Sequence, residues 1–479
     1  DFLTGILIAD GRVTKRDLLK SSSWLFLSAI IYLVISWPTT DNGLSGLALN
    51  NDAIIISIIL FITWISAIFI AKKVIPKLSQ QTNKRLFVTI SIVVNLTILA
   101  FFKYFNFFID SAEQLIQSFG GDAALFHLNI ILPVGISFYT FQTISYSIDI
   151  YRGKTNATHK FLDFALFVSY FPQLVAGPIE RASNLMPRII QKRQINLEQI
   201  KRGLTLIAWG LFKKVAIADG LAGSVNSIYN TTGNVSAPDI VLATFFFAFQ
   251  IYCDFSAYSD IARGTSKLLG IELMRNFNLP YFAKDPSEFW RRWHISLSSW
   301  LKDYVYIPLG GNKKGTFITY RNLMLTMLLG GLWHGAAWNY ILWGAYQGII
   351  LSIHRIFSSD AKVEQSSINS TLKIVLFFSI TCYGWLLFRA NSFEQISTFS
   401  SSLIYGWDDL SLSMKRPTLA AFLGLPILIM YECCEYKMQN IRFYKAIPTP
   451  FLALLLAIIF LIIFMGMSHP PAQFIYFQF

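Results

Sequence analysis

Charge is scarce in this chain. Only 14% of its 479 residues are Asp, Glu, Lys or Arg, and acids are the rarer kind, 27 against 40 bases. Soluble domains carry nearer a quarter of their residues as charges, so a water-exposed globule is excluded and an integral membrane protein remains. Cysteine is also rare: Cys253, Cys382, Cys433 and Cys434 show no metal-ligand spacing, and no metal site is expected. The adjacent pair Cys433–Cys434, at a predicted helix end, reads as packing thiols rather than a disulfide or a lipidation site. No G-x-x-x-x-G-K-[ST] phosphate loop, H-E-x-x-H zinc motif or G-x-S-x-G elbow occurs, which removes the common soluble-enzyme chemistries. There is no repeat of fixed period and no low-complexity tract. The numbering starts at Asp1 with neither Met nor a signal peptide, so an upstream segment missing from it is the expectation.

What the chain has instead is apolar length. Hydrophobic residues make up 54% and aromatics 16%, with a mean hydropathy of +0.49. This content falls into separate blocks divided by basic loops, the pattern of an all-α polytopic bundle. One membrane domain over residues 1–479 is expected, with a core at about 128–356 and peripheral helices at 1–127 and 357–479. The formal charge of +13 sits in short loops between apolar runs. That placement fits the positive-inside rule and contact with anionic lipid, and nucleic acid is not expected as a partner.

The basic loops set a topology. Residues 1–20 and 72–85 are rich in Lys and Arg and read as cytoplasmic, with spans at Ser23–Trp37, Ala53–Ala71 and Leu86–Phe102. An outer loop then holds Asp110, Glu113 and Asp122. The run from Leu128 to Tyr151 is broken by Pro133 and Gly135, a break tolerated only where protein or a water-filled cavity satisfies the freed backbone. Phe167–Arg181 has basic segments on both sides and reads as re-entrant, reversing at Pro172 and Gly177-Pro178, with Glu180-Arg181 as a local ion pair at its exit. Spans follow at Gly203–Asp219 and Ile240–Tyr258. The stretch Arg263 to Lys314 carries too many charges to cross. Within it, Glu288–Lys302 puts Trp290, Trp293, Leu297 and Trp300 on one helical face, which predicts an interfacial amphipathic helix on the inner leaflet. The remaining spans are Phe317–Trp333, Trp338–Ile356, Leu372–Phe388, Thr418–Tyr431 and Pro450–Met467, for about eleven in all.

Histidine is the residue type left to carry chemistry. His127, His159, His354 and His469 lie in loops or at span ends, where a solvated structural role is the default. His334, in G-G-L-W-H-G-A-A-W-N-Y, is set between two apolar runs, with small residues for close helix approach and indoles, Trp333 and Trp338, to enclose a cavity. A dehydrated imidazole is costly and titrates near neutrality, so it suits proton abstraction from a hydroxyl or thiol in acyl transfer. The competing reading is a core histidine bonded across helices. His294 shares a helical face with Ser298 and Lys302, and with Arg291 and Arg292 it reads either as part of an anchor or as a cytosolic mouth for an anionic donor. Asp254 and Asp260 sit at the end of a span, suited to helix pairing or to orienting a histidine.

Five segments together carry a resemblance: L-P-V-G-I-S-F-Y-T-F-Q-T-I-S-Y-S-I-D-I-Y-R-G-K, F-P-Q-L-V-A-G-P-I-E-R, Q-I-Y-C-D-F-S-A-Y-S-D-I-A, F-W-R-R-W-H-I-S-L-S-S-W-L-K-D-Y-V-Y-I-P-L-G-G-N and G-G-L-W-H-G-A-A-W-N-Y-I-L-W-G, with the terminal F-I-Y-F-Q-F. The chain resembles the membrane-bound O-acyltransferase (MBOAT) family, in its bacterial branch of alginate and peptidoglycan O-acetylation. The resemblance implies a ring of helices around a thin centre, with the family histidine at His334 and the second at His294. It implies acetyl-coenzyme A as donor, no bound cofactor, and an extracytoplasmic partner of the SGNH-esterase type at the bacterial inner membrane. Trp293, Arg291, Arg292, Ser298, Lys302, Trp333, Asn339 and Asp254 are the candidates for holding donor or substrate. The topology puts His294 by the cytoplasm and His334 one span further out. Two rivals stand beside this reading: D-alanyl transfer to teichoic acid from a carrier-protein thioester, and a transporter or channel without acyl chemistry.

Overall fold

The computed structural model describes residues 1–27 except 12, 15, 19, 25 and 26; residues 80–357 except 123, 124, 126, 129, 131, 232 and 234; residues 367–439; and residues 448–475. All regular structure among them is helical. Several helices start where a short polar side chain accepts from the first turn: Asn196 from Gln199 N at 2.8 Å, Asp285 from Glu288 N at 2.7 Å and Ser392 from Gln395 N at 3.1 Å.

The chain divides into two compact units. The first comprises Asp1–Phe101, Ile136–Tyr170 and Arg181–Lys192. Its centre is the helix Ile136–Tyr151, buried along most of its length and packed on Gln80–Leu99 and Phe2–Asp10. Hydroxyls and amides join these helices: Ser91 Oγ donates to Ser147 Oγ at 2.7 Å, and Thr143 Oγ1 donates to Asn95 Oδ1 at 2.8 Å. Apolar side chains gain little by leaving lipid for another helix, so such bonds and small residues give the pairing its register.

The second unit comprises Phe102–Gly135, Phe171–Glu180 and Arg193–Phe479. Its axis is the 32-residue helix Ala237–Leu268, which packs against Leu197–Leu211 where Gly203 meets Gly264. A Cβ on Gly264 would lie 2.6 Å from the Gly203 carbonyl oxygen, so the two backbones touch. Thr316–His334 and Trp338–Phe357 form a second close pair. The predicted break before residue 136 is present: Gly135 has φ 77°, and the helix begins at Ile136.

Two expectations are corrected. Asp110 and Glu113 are not in a loop, because the helix Phe105–Ser118 carries them. Asp110 holds His127, whose Nε2 lies 2.7 Å from the carboxylate. The bond to Asp110 raises the His127 pKa above its ordinary range. Glu288–Lys302 is not one interfacial helix. It is two short helices, Pro286–Arg292 and Ile295–Leu301, broken at Trp293–His294, and its apolar residues Trp293, Leu297 and Trp300 are buried in protein. Five helices among the described residues are long and apolar enough to cross a bilayer: Asn83–Ser118, Ala237–Leu268, Ser370–Arg389, Leu419–Met438 and Thr449–Met467. The expected spans at residues 203–219, 317–333 and 338–356 lie in helices of sufficient length that are less apolar than those five. The expected span at residues 53–71, and most of that at 23–37, lie outside the described residues.

Candidate active site

The break at Trp293–His294 builds one half of the site. Trp293 N closes the first short helix on Phe289 O at 2.7 Å, and His294 O opens the second by accepting from Ser298 N at 2.9 Å. Between them His294 takes a left-handed conformation, φ 41° and ψ 55°. That conformation costs a non-glycine residue roughly 1–3 kcal/mol, and such residues cluster where function requires them. The junction is pinned on both sides, because Asn278 N donates to Arg292 O and Ile295 N to Asn276 O, each at 2.9 Å. The His294 ring has no exposed surface and meets Phe255 edge to face at 4.6 Å between centroids. Its Nδ1 lies 3.2 Å from Asn276 Oδ1. Burial, and then the nearness of His334, hold its pKa well below the ordinary imidazole value, so it is a neutral ring.

His334 ends the helix Thr316–His334 and is 5% exposed. Trp343 and Phe388 meet it edge to face at 5.2 and 5.4 Å, and Trp333 at 5.1 Å. The Trp333 ring also lies 6.0 Å from the His294 ring. One indole therefore touches both imidazoles, a closer approach than the expected separation by a whole span. Aromatic walls extend outward: Trp385 lies 4.8 Å from Trp293 and 6.2 Å from Trp343.

A cavity of about 530 Å³ lies next to this pair without either histidine lining it. Its lining includes Asn276, the residue beside His294, with Tyr252, Phe277 and Trp209 as apolar walls and Arg202, Lys213, Arg263, Lys267 and Arg275 as cations. The cations are braced by acids in the same lining: Lys213 by Asp260 at 2.7 Å, Arg275 by Glu435 at 3.2 Å, and Lys267 by Glu272. The volume lies in the range of small-molecule pockets, and the mix of apolar wall and convergent polar groups is what such pockets use.

The sequence candidates divide in this geometry. His294, His334, Trp293 and Trp333 come together in one aromatic cluster. Arg291 and Lys302 are exposed and do not line the cavity. Arg292 is engaged by Glu288 at 2.7 Å and by Asn278 O at 3.0 Å. Ser298 Oγ donates to Trp293 O at 3.0 Å, and Asn339 Nδ2 donates to Phe388 O and Ala390 O, so both act on backbone. Asp254 does not orient a histidine. It pairs with Lys214 at 2.8 Å and accepts from Ile475 N at 2.7 Å, tying down the chain after the last helix. Glu180 likewise accepts from Met274 N, at 2.6 Å, in addition to any local pairing. Sequence reasoning does not reach Asn276 or the cavity cations: Asn276 meets His294 across a loop return, Lys213 falls inside an expected span, and the other cations read only as inner-loop charge.

Fold and site define a class: a helical, multi-pass membrane protein with two buried histidines that share one tryptophan, next to a polar cavity. Residues 155–363 match the family described as MBOAT, membrane-bound O-acyltransferase family. The chain is 37% identical over 445 residues to the probable alginate O-acetylase AlgI of Pseudomonas putida, covering 90% of this chain and 89% of that protein. It is 46% identical over 305 residues to the probable alginate O-acetylase AlgI of Pseudomonas aeruginosa, covering 64% of this chain and 58% of that one. It is 34% identical over 460 residues to the peptidoglycan O-acetyltransferase of Helicobacter pylori, covering 86% and 85%. The chain belongs to the membrane-bound O-acyltransferase family.

Proposed function

We propose that this protein moves acetyl groups from cytosolic acetyl-coenzyme A across the bacterial inner membrane for O-acetylation of a cell-wall or extracellular polysaccharide. The relatives named above, acetylases of alginate and an acetyltransferase of peptidoglycan, support the acetyl group and the polysaccharide class. The observation that carries the mechanism is the contact of His294 and His334 through Trp333, with Asn276 linking His294 to the 530 Å³ cavity.

Donor thioester enters that cavity from the cytosolic side, where Arg263, Lys267 and Arg275 belong to the basic inner stretch. Its phosphates lie among the cations and its acetyl end by Asn276 and His294. His334 takes the proton of an acceptor hydroxyl as the hydroxyl oxygen attacks the acetyl carbon; the carbon–sulfur bond breaks, and coenzyme A leaves as the thiolate, which picks up the proton. Aromatic walls around both imidazoles exclude water and so protect the thioester from hydrolysis. The acceptor hydroxyl is presented from the outer side by a partner of the SGNH-esterase type, which passes the acetyl group on to the polysaccharide.

The test is transfer in proteoliposomes from acetyl-coenzyme A labelled in its acetyl group. Label is expected to reach the acceptor from acetyl-coenzyme A and not from a D-alanyl carrier-protein thioester. Transfer from the carrier protein alone, or solute flux without acyl transfer, would overturn the reading.

A further inference from the structure

The helix that carries His334 ends without a backbone cap. Gly335 is extended, with φ −161° and ψ 156°, instead of turning left-handed to satisfy the last carbonyls. An α-helix leaves its final carbonyls without intrahelical donors, and burying them so is costly. Here two side chains from another element supply the donors. Lys103 Nζ donates to Trp333 O at 2.7 Å and to His334 O at 3.0 Å, and Tyr104 Oη donates to Leu332 O at 2.8 Å. Three consecutive carbonyls, ending with that of His334 itself, are thus held by two consecutive residues.

That coincidence depends on local backbone. Neighbouring residues of an α-helix point about 100° apart, so they do not ordinarily grip one target. Ala100–Tyr104 is a π-helical segment, whose wider turn shifts the register by one residue, and such segments recur at functional sites. The Lys103 ammonium also lies 5.9 Å from the Trp333 ring, over the indole that touches both imidazoles, and its charge complements the negative end of the helix. Lys103 also lines a cavity of about 240 Å³ with Asn106 and Ala336.

We propose that Lys103 and Tyr104 are positioning residues for acyl transfer: by clamping the open end of the Thr316–His334 helix they fix where the His334 imidazole points. This rests on the role given to His334 above. Lys103→Met, Lys103→Arg and Tyr104→Phe are compared with His334→Ala in proteoliposomes, reading kcat, donor KM and the unfolding midpoint in detergent. Misplacing a catalytic group by about an ångström slows a reaction about a hundredfold. Lys103→Met is expected to lose that much kcat per folded molecule with donor KM unchanged, Lys103→Arg to recover most of it, and Tyr104→Phe to lose about tenfold.

A purely structural role would instead lower the unfolding midpoint and leave kcat per folded molecule intact, and that result overturns the proposal. So does a Lys103→Arg variant no faster than Lys103→Met. If Lys103→Met does not fold, Tyr104→Phe decides, and wild-type kcat in that variant overturns the clamp. An inactive His334→Ala beside fully active clamp variants defeats the clamp alone, whereas an active His334→Ala defeats the reading on which it rests.

Discussion

Asn276 decides which nitrogen of His294 is basic. Its Oδ1 accepts from Ser296 N at 3.2 Å and Ser296 Oγ at 2.9 Å, while its Nδ2 donates to Ser259 Oγ at 3.2 Å. With the amide fixed in that sense, the 3.2 Å contact to His294 is a donation from Nδ1–H, and the lone pair lies on Nε2. Asn276→Ala is expected to slow acetyl transfer at least about tenfold, because the His294 ring loses the acceptor that fixes its tautomer. It is also expected to cost about 1–3 kcal/mol of unfolding free energy, since Ser296 keeps buried donors without an acceptor. Both are read on one purified variant by rate and by denaturant midpoint; unchanged values for both refute the assignment. The two histidines were legible from their own neighbours in sequence, but Asn276 was not, because it lies 18 positions from His294 and reaches it only through a loop return. Arg292 shows the opposite case: Glu288 stands four residues before it, a spacing from which its pairing was readable.

Helix periodicity tells which residues are buried and is silent on whether the backbone is continuous. Trp290, Trp293, Leu297 and Trp300 keep one period, yet the chain breaks between Trp293 and Ile295. The period equally cannot say what covers the apolar face. Here Phe277, Tyr281 and Trp385 cover Trp293, so a face expected to meet lipid meets protein. Small residues were better guides. Those around His334 allow Thr316–His334 and Trp338–Phe357 to approach until a Cβ on Gly344 would lie 2.5 Å from Met327 O. Gly344→Ala must push the pair apart, and overpacking of this kind costs about 1–3 kcal/mol. The expected result is a lower unfolding midpoint together with slower transfer, since Trp343 beside it walls His334. A variant as stable and as fast as wild type would show that the helices are not in contact there.

At the scale of the whole molecule, composition was enough for the class, because a chain this poor in charge has too little polar surface to face water. The number of spans was not readable in the same way. Windows of hydropathy treat each run as if it met lipid, whereas Ala237–Leu268 is mostly buried in protein and Thr316–His334 carries polar residues, Asn322 and Thr326 among them, inside the fold. Family and histidine pair were legible because short motifs hold them; the cavity was not, since Arg202, Lys213, Arg263 and Arg275 converge from segments far apart in the chain.

The central claim is that His334 performs proton abstraction in acetyl transfer, and single-turnover transfer by His334→Ala in proteoliposomes tests it most directly. Removing a general base costs about a hundredfold to ten-thousandfold. The expected result is a loss of that order in a variant whose unfolding midpoint matches wild type. Transfer within tenfold of wild type, from protein shown to be folded, would contradict it.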